Sequence, residues 1–84
     1  MFTTYILISN KDGKYYIGST ENIAARIEKH NKGYSRYTKN RGPYELVYKE
    51  GFITLSEARK REYYLKSLKS RVAIEKLIKQ APVV

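Results

Sequence analysis

A carboxylate stands among apolar residues in the segment between residues 54 and 68. Leu55, Ala58, Leu65 and Leu68 recur there at helical spacing, and Glu62 falls inside their stripe, four residues after Ala58 and three before Leu65. An inward carboxylate is costly unless a cation or a metal ion pairs with it. Two readings stay open. One is an ion pair with Arg26 or another base. The other is a ligand for Mg²⁺, which takes one or two carboxylates, keeps several waters and binds substrate phosphate. A second candidate group is a pair of phenols, Tyr5 and Tyr16. If the strands carrying them are joined by a loop with an even number of residues, Tyr5 and Leu7 share a face with Tyr16 and Gly18. The phenols are then cross-strand or diagonal neighbours, within reach of one small site, although ordinary aromatic packing gives the same pattern. A third group is Arg26 with His30 four residues later and Lys29 alongside. On a helix these form a cationic ridge, either a solvated face or a phosphate grip with Arg26 bidentate.

The elements that must position these groups follow from local patterning. Residues 2–9 are β-branched and aromatic and read as a strand. Asn10-Lys11-Asp12-Gly13 supplies turn chemistry, and residues 14–18 form the returning strand. Ser19 and Thr20 are candidate caps for a helix over about 21–31, with Ile23, Ala24 and Ile27 as its apolar stripe. A third strand is expected over 44–52. Thr54-Leu-Ser-Glu57 matches a capping box opening a helix to about Leu68. Ser70 is placed to cap a third helix with Ile74, Leu77 and Ile78 inward. The expected fold is one α/β domain over residues 1–84, a small, mainly antiparallel three-stranded sheet flanked by helices in the order β-β-α-β-α-α.

Composition narrows the partners. The chain carries 17 Lys plus Arg against 8 Asp plus Glu, a net charge of +9 on 84 residues. That exceeds the roughly 2–8 a small domain needs for solubility. A polyanion is the economical partner, because a cationic surface gains affinity by releasing counterions condensed on phosphates. Lys29, Lys32, Arg36, Lys39 and Arg41 lie in one acid-free stretch with Tyr34 and Tyr37 interleaved. Such a mix suits a surface that neutralises phosphates and touches bases or sugars. Without cysteine, neither a disulfide framework nor a thiolate metal site is available. No run approaches the roughly 20 apolar residues of a membrane span, and the N-terminus lacks a signal peptide's basic region. A cytoplasmic protein that does not engage membranes is expected. No acid pair, Gly-rich phosphate loop or Ser/His/Asp set is present.

Taken in order and spacing, Tyr5, Tyr16-Ile17-Gly18, Arg26, His30 and Glu62 resemble the GIY-YIG endonuclease family. Gly18-Ser-Thr-Glu-Asn-Ile-Ala-Ala-Arg26 keeps the family's interval from glycine to arginine. His30-Asn31-Lys-Gly33, Arg41-Gly-Pro43 and Glu57-Ala-Arg-Lys-Arg-Glu62 are similar to the short stand-alone bacterial members and to the nuclease domain of structure-selective DNA endonucleases. The resemblance covers roughly residues 2–80, with Thr3-Thr4 where the first half-motif has Gly-Ile. It implies phosphodiester hydrolysis with one divalent metal, Mg²⁺ or Mn²⁺. Glu62 would hold the metal, and Arg26 would stabilise charge on the phosphate. A hairpin tyrosine, Tyr5 in the first instance, would take the proton from the attacking water. Tyr16 would complete the pocket, and His30 would assist phosphate or leaving-group contacts. A phenol of pKa about 10 is only about 0.1% ionised at pH 7. Arg26 and a metal on Glu62 would therefore have to lower that pKa. The expected substrate is DNA (or RNA), branched, single-stranded or damaged, cut by a monomer or weak dimer. The competing readings are a non-catalytic basic nucleic-acid-binding module and a small RNA- or ribosome-associated protein.

Overall fold

The computed structural model describes residues 1–31 and 43–80, and the side chain of His30 is not among what it describes. Strand β1 (Phe2–Ser9) runs into β2 (Tyr15–Thr20), helix α1 (Ile23–Asn31), strand β3 (Tyr44–Phe52), and helices α2 (Leu55–Ser67) and α3 (Arg71–Gln80). The expected order and the antiparallel three-stranded sheet are both observed, with β1 at the centre of the order β2-β1-β3.

The first hairpin sets the register. Gly13 takes a positive φ of 71° to close the turn, and its N–H donates to the Ser9 carbonyl at 2.8 Å. The Ser9 hydroxyl accepts from the N–H groups of Lys11 and Asp12. The Ser9 N–H then meets the Lys14 carbonyl, so four residues lie between this pair. This even count places Tyr5 opposite Gly18 and Leu7 opposite Tyr16, as the parity argument requires.

Both faces of the central strand are covered. Tyr5 and Leu7 pack with Tyr44, Tyr16 and Leu46 under Ile23 and Ile27 of α1. Ile6, on the other face, packs with Tyr48, Leu65 and Ile74 beneath α2 and α3. Strand β3 serves both layers through a one-residue register shift. Ile6 pairs with Tyr48 but Leu7 with Leu46, which leaves Val47 as the extra residue. Tyr44 and Leu46 can then face α1, while Tyr48 faces the other layer.

Several local expectations change. Strand β2 continues through Ser19 and Thr20, so these residues are not helix caps. Asn22 caps α1, its side-chain oxygen accepting from Ala25 N–H at 3.1 Å, with Thr20 Oγ1 accepting from Asn22 N–H. Ala24 is exposed and lies outside the apolar stripe of α1, which is Ile23 and Ile27. Thr54 does cap α2, accepting from Glu57 N–H at 3.2 Å, while Glu57 Oε1 accepts from the Thr54 hydroxyl. Ser70 Oγ accepts from Ala73 N–H at the start of α3.

Two side-chain contacts lock helices to the sheet. Thr4 Oγ1 donates to the buried Ala58 carbonyl at 2.6 Å, pinning the first turn of α2 to β1. The Asn31 carboxamide accepts from Tyr44 N–H at 2.6 Å and donates to the Tyr44 carbonyl, tying the end of α1 to the start of β3.

Candidate functional site

The two tyrosines and Glu62 belong to opposite layers, since Tyr5 and Tyr16 face α1 while α2 covers the other face. They meet because β2 is an edge strand and Gly18 lies on it. A Cβ at position 18 would stand 2.5 Å from the Tyr5 hydroxyl and 2.8 Å from its Cζ. The missing side chain therefore lets the Tyr5 ring cross β2 towards the sheet edge. There Tyr5, Tyr16, Gly18, Ser19, Arg26 and Glu62 line a cavity of about 390 Å³, with Arg59, Tyr63 and Lys66 also contributing.

Each group is held by its own element. Tyr5, on the central strand, is only 2% exposed. Tyr16 meets the Tyr44 ring edge-on, with centroids 6.4 Å apart. Arg26 projects from α1, half-buried, one turn before the end that Asn31 clamps. Glu62, with its side chain 14% exposed, sits in the α2 stripe anchored by buried Ala58 and Leu65. Its Oε1 accepts from Ser19 Oγ at 2.5 Å, and its Oε2 pairs with Lys66 Nζ at 2.6 Å. The cation paired with Glu62 is thus Lys66, not Arg26.

Burial, more than any neighbouring charge, pushes the Tyr5 hydroxyl up to about 12 from an ordinary 10. Arg26 pulls the other way, while Tyr16 and Glu62 add to the rise. The expectation that Arg26 helps to ionise the phenol has the right sign, but burial outweighs it.

Among the described residues, Glu62 is the one carboxylate lining this cavity, so a divalent cation held there would have it as its single carboxylate ligand. Glu62 offers an oriented anionic oxygen beside two phenols, and no group of three or more His, Cys, Asp or Glu occurs among the described residues. Any such ion would keep waters or substrate oxygens as its remaining ligands.

Of the remaining sequence candidates, Lys29 is exposed on α1 and does not line the cavity. Lys32, Arg36, Lys39 and Arg41 lie outside the described residues, as does the His30 side chain. Ser19, Arg59, Tyr63 and Lys66 were not singled out by sequence. Arg59 and Lys66 were accessible to it, lying three residues before and four after Glu62, on the same helical face. Ser19 was not, because it read as a helix cap.

The family model of the GIY-YIG catalytic domain matches residues 1–77. The chain belongs to the GIY-YIG family. UPF0213 proteins of Staphylococcus aureus strains COL and Mu50 are 47% identical to it over 62 residues, 73% of this chain and 76% of theirs. The solution NMR structure of the UPF0213 protein BH0048 from Bacillus halodurans is similar to it, with a TM-score of 0.59 at 39% identity. That match covers 95% of this chain and 85% of the other. The GIY-YIG domain implies nuclease activity in general, usually metal-dependent, and hence a nucleic-acid substrate. No helix among the described residues is long and apolar enough to cross a membrane.

Proposed function

We propose that this chain is a divalent-metal-dependent endonuclease that hydrolyses DNA phosphodiester bonds at the β2 edge, as a single cytoplasmic domain. The observation that carries this reading is the convergence of Tyr5, Arg26 and Glu62, from three elements and both sheet faces, on one polar cavity. A basic binding module needs the cations, whereas a carboxylate lining the cavity beside the phenols is what a hydrolytic site would use.

Glu62, which Ser19 and Lys66 hold in this structure, would be the residue that holds Mg²⁺ or Mn²⁺. The bound ion would supply positive charge that favours phenolate and offsets charge on the phosphate oxygens. Arg26 would grip those oxygens and stabilise the charge that develops on them as water attacks phosphorus. The Tyr5 oxygen would accept the proton of that water as the bond to the leaving oxygen breaks. Tyr16 would orient water or phosphate, and His30 would contact the phosphate or the leaving group. Burial favours the protonated Tyr5 phenol, so positive charge beyond that of Arg26 would be needed to favour its phenolate.

The test is incubation with labelled single-stranded, duplex and branched DNA in Mg²⁺, Mn²⁺ or EDTA, with binding followed in parallel. Cleavage in metal and none in EDTA is expected. Tight binding with no cleavage in any metal would favour the non-catalytic module instead.

A further inference from the structure

A second hollow adjoins the first. Its volume is about 490 Å³, and it shares Tyr16, Ile17 and Lys66 with the site above. Leu65 and Ile74 form its apolar floor together with Ile17, Tyr15 is its aromatic wall, and Lys66, Lys69 and Arg71 stand at its rim. Aromatic surface beside several cations suits a nucleotide better than a small apolar ligand.

The rim cations are not equivalent. Lys66 is paired with Glu62. Arg71 lies 4.9 Å over the Tyr15 ring, donates to the Gly13 carbonyl and pairs with Glu75. Lys69 makes no hydrogen bond or ion pair among the described residues. It follows the C-cap Leu68 of α2 and has a φ of 47°, the one positive-φ residue other than glycine among the described residues. Glycine is the usual occupant of that position, because a Cβ is unfavourable in the left-handed region. The fold thus carries a lysine where glycine would serve the turn better, and it carries it at the rim of a hollow continuous with the candidate active site.

We propose that this hollow at the α2–α3 corner binds a phosphodiester adjoining the scissile one on the same nucleic-acid strand, with Lys69 as its cation. That the neighbouring phosphodiester is cut rests on the nuclease reading. The basic segment at residues 29–41 lies elsewhere in the chain, so the strand would have a phosphate contact independent of it.

Lys69→Gly separates a binding role from a folding role, because the two predict opposite outcomes. Binding of a fluorescein-labelled single-stranded oligodeoxynucleotide is measured by anisotropy in EDTA across a salt series, with Tm recorded for each variant. Lys69→Gly is expected to weaken binding about three- to tenfold and to flatten the salt dependence by about one phosphate contact, while Tm rises. Lys69→Arg is expected to restore affinity and salt slope at the wild-type Tm. Unchanged affinity and slope in Lys69→Gly, or a lowered Tm, would overturn the proposal. Weakened binding by a protein that cuts no substrate would support the phosphate subsite and refute the nuclease reading.

Discussion

Tyr5 and Gly18 form a unit in which one residue occupies the space the other leaves. Gly18→Ala would put a Cβ into the Tyr5 phenol, a clash with a ring fixed in the core. A loss of about 1–3 kcal/mol in stability is expected from such overpacking, read by denaturant unfolding, with cleavage falling further than stability alone explains. The buried phenol also predicts a pH effect. Its hydroxyl ionises near 12 when folded and near 10 when unfolded, so the protonated form is favoured by folding. That stability is present in full below pH 10 and is lost as pH rises from 10 to 12. In Tyr5→Phe the alkaline decline in Tm is expected to be shallower than in wild type; identical declines would count against it. Glu62 was legible in sequence because a carboxylate interrupts an apolar period. Its hold by Ser19 was not, because a serine at a strand end and one at a helix start look alike before the helix boundary is known.

Elements bring the site together, and their anchors are testable apart from its chemistry. The Thr4 hydroxyl binds the Ala58 carbonyl one turn ahead of Glu62. Thr4→Val keeps the shape and removes that bond, so a loss of about 1 kcal/mol is expected, seen as a lower denaturation midpoint. Its effect on cleavage should be smaller than that of any change at Glu62. Thr4 also occupies a position where the resemblance alone saw only a departure from the first half-motif. Lys66 pairs with Glu62 Oε2, so it would compete with a metal held by Glu62. Lys66→Met, which keeps the aliphatic stem, is expected to lower the Mn²⁺ concentration giving half-maximal cleavage several-fold, and a rise would contradict that role. Strand and helix order were legible because each element has its own apolar period and turn or cap residues. The shift at Val47 was not, since alternation in Tyr44–Phe52 does not reveal that Leu46 and Tyr48 face different layers.

At the scale of the molecule, the candidate site is a product of sheet order. With β1 central and β2 at the edge, residues from both faces reach a common cavity without a second domain. Sequence parity placed Tyr5 and Tyr16 together but could not say that α1 and α2 take opposite faces, which depends on non-local packing. The net charge of +9 predicts binding that weakens steeply with salt. Lys32→Ala and Lys39→Ala should each reduce affinity and flatten that dependence without abolishing cleavage; salt-insensitive affinity would remove the basic segment as a phosphate track. The central claim is that Glu62 makes this surface hydrolytic, and the most direct test is Glu62→Gln, which keeps side-chain size and removes the charge. Single-turnover cleavage of labelled DNA in Mn²⁺ is compared with wild type, with affinity measured on the same substrate. A loss of rate of about a hundredfold or more is expected, with affinity kept within about a few-fold. Cleavage at the wild-type rate would contradict it.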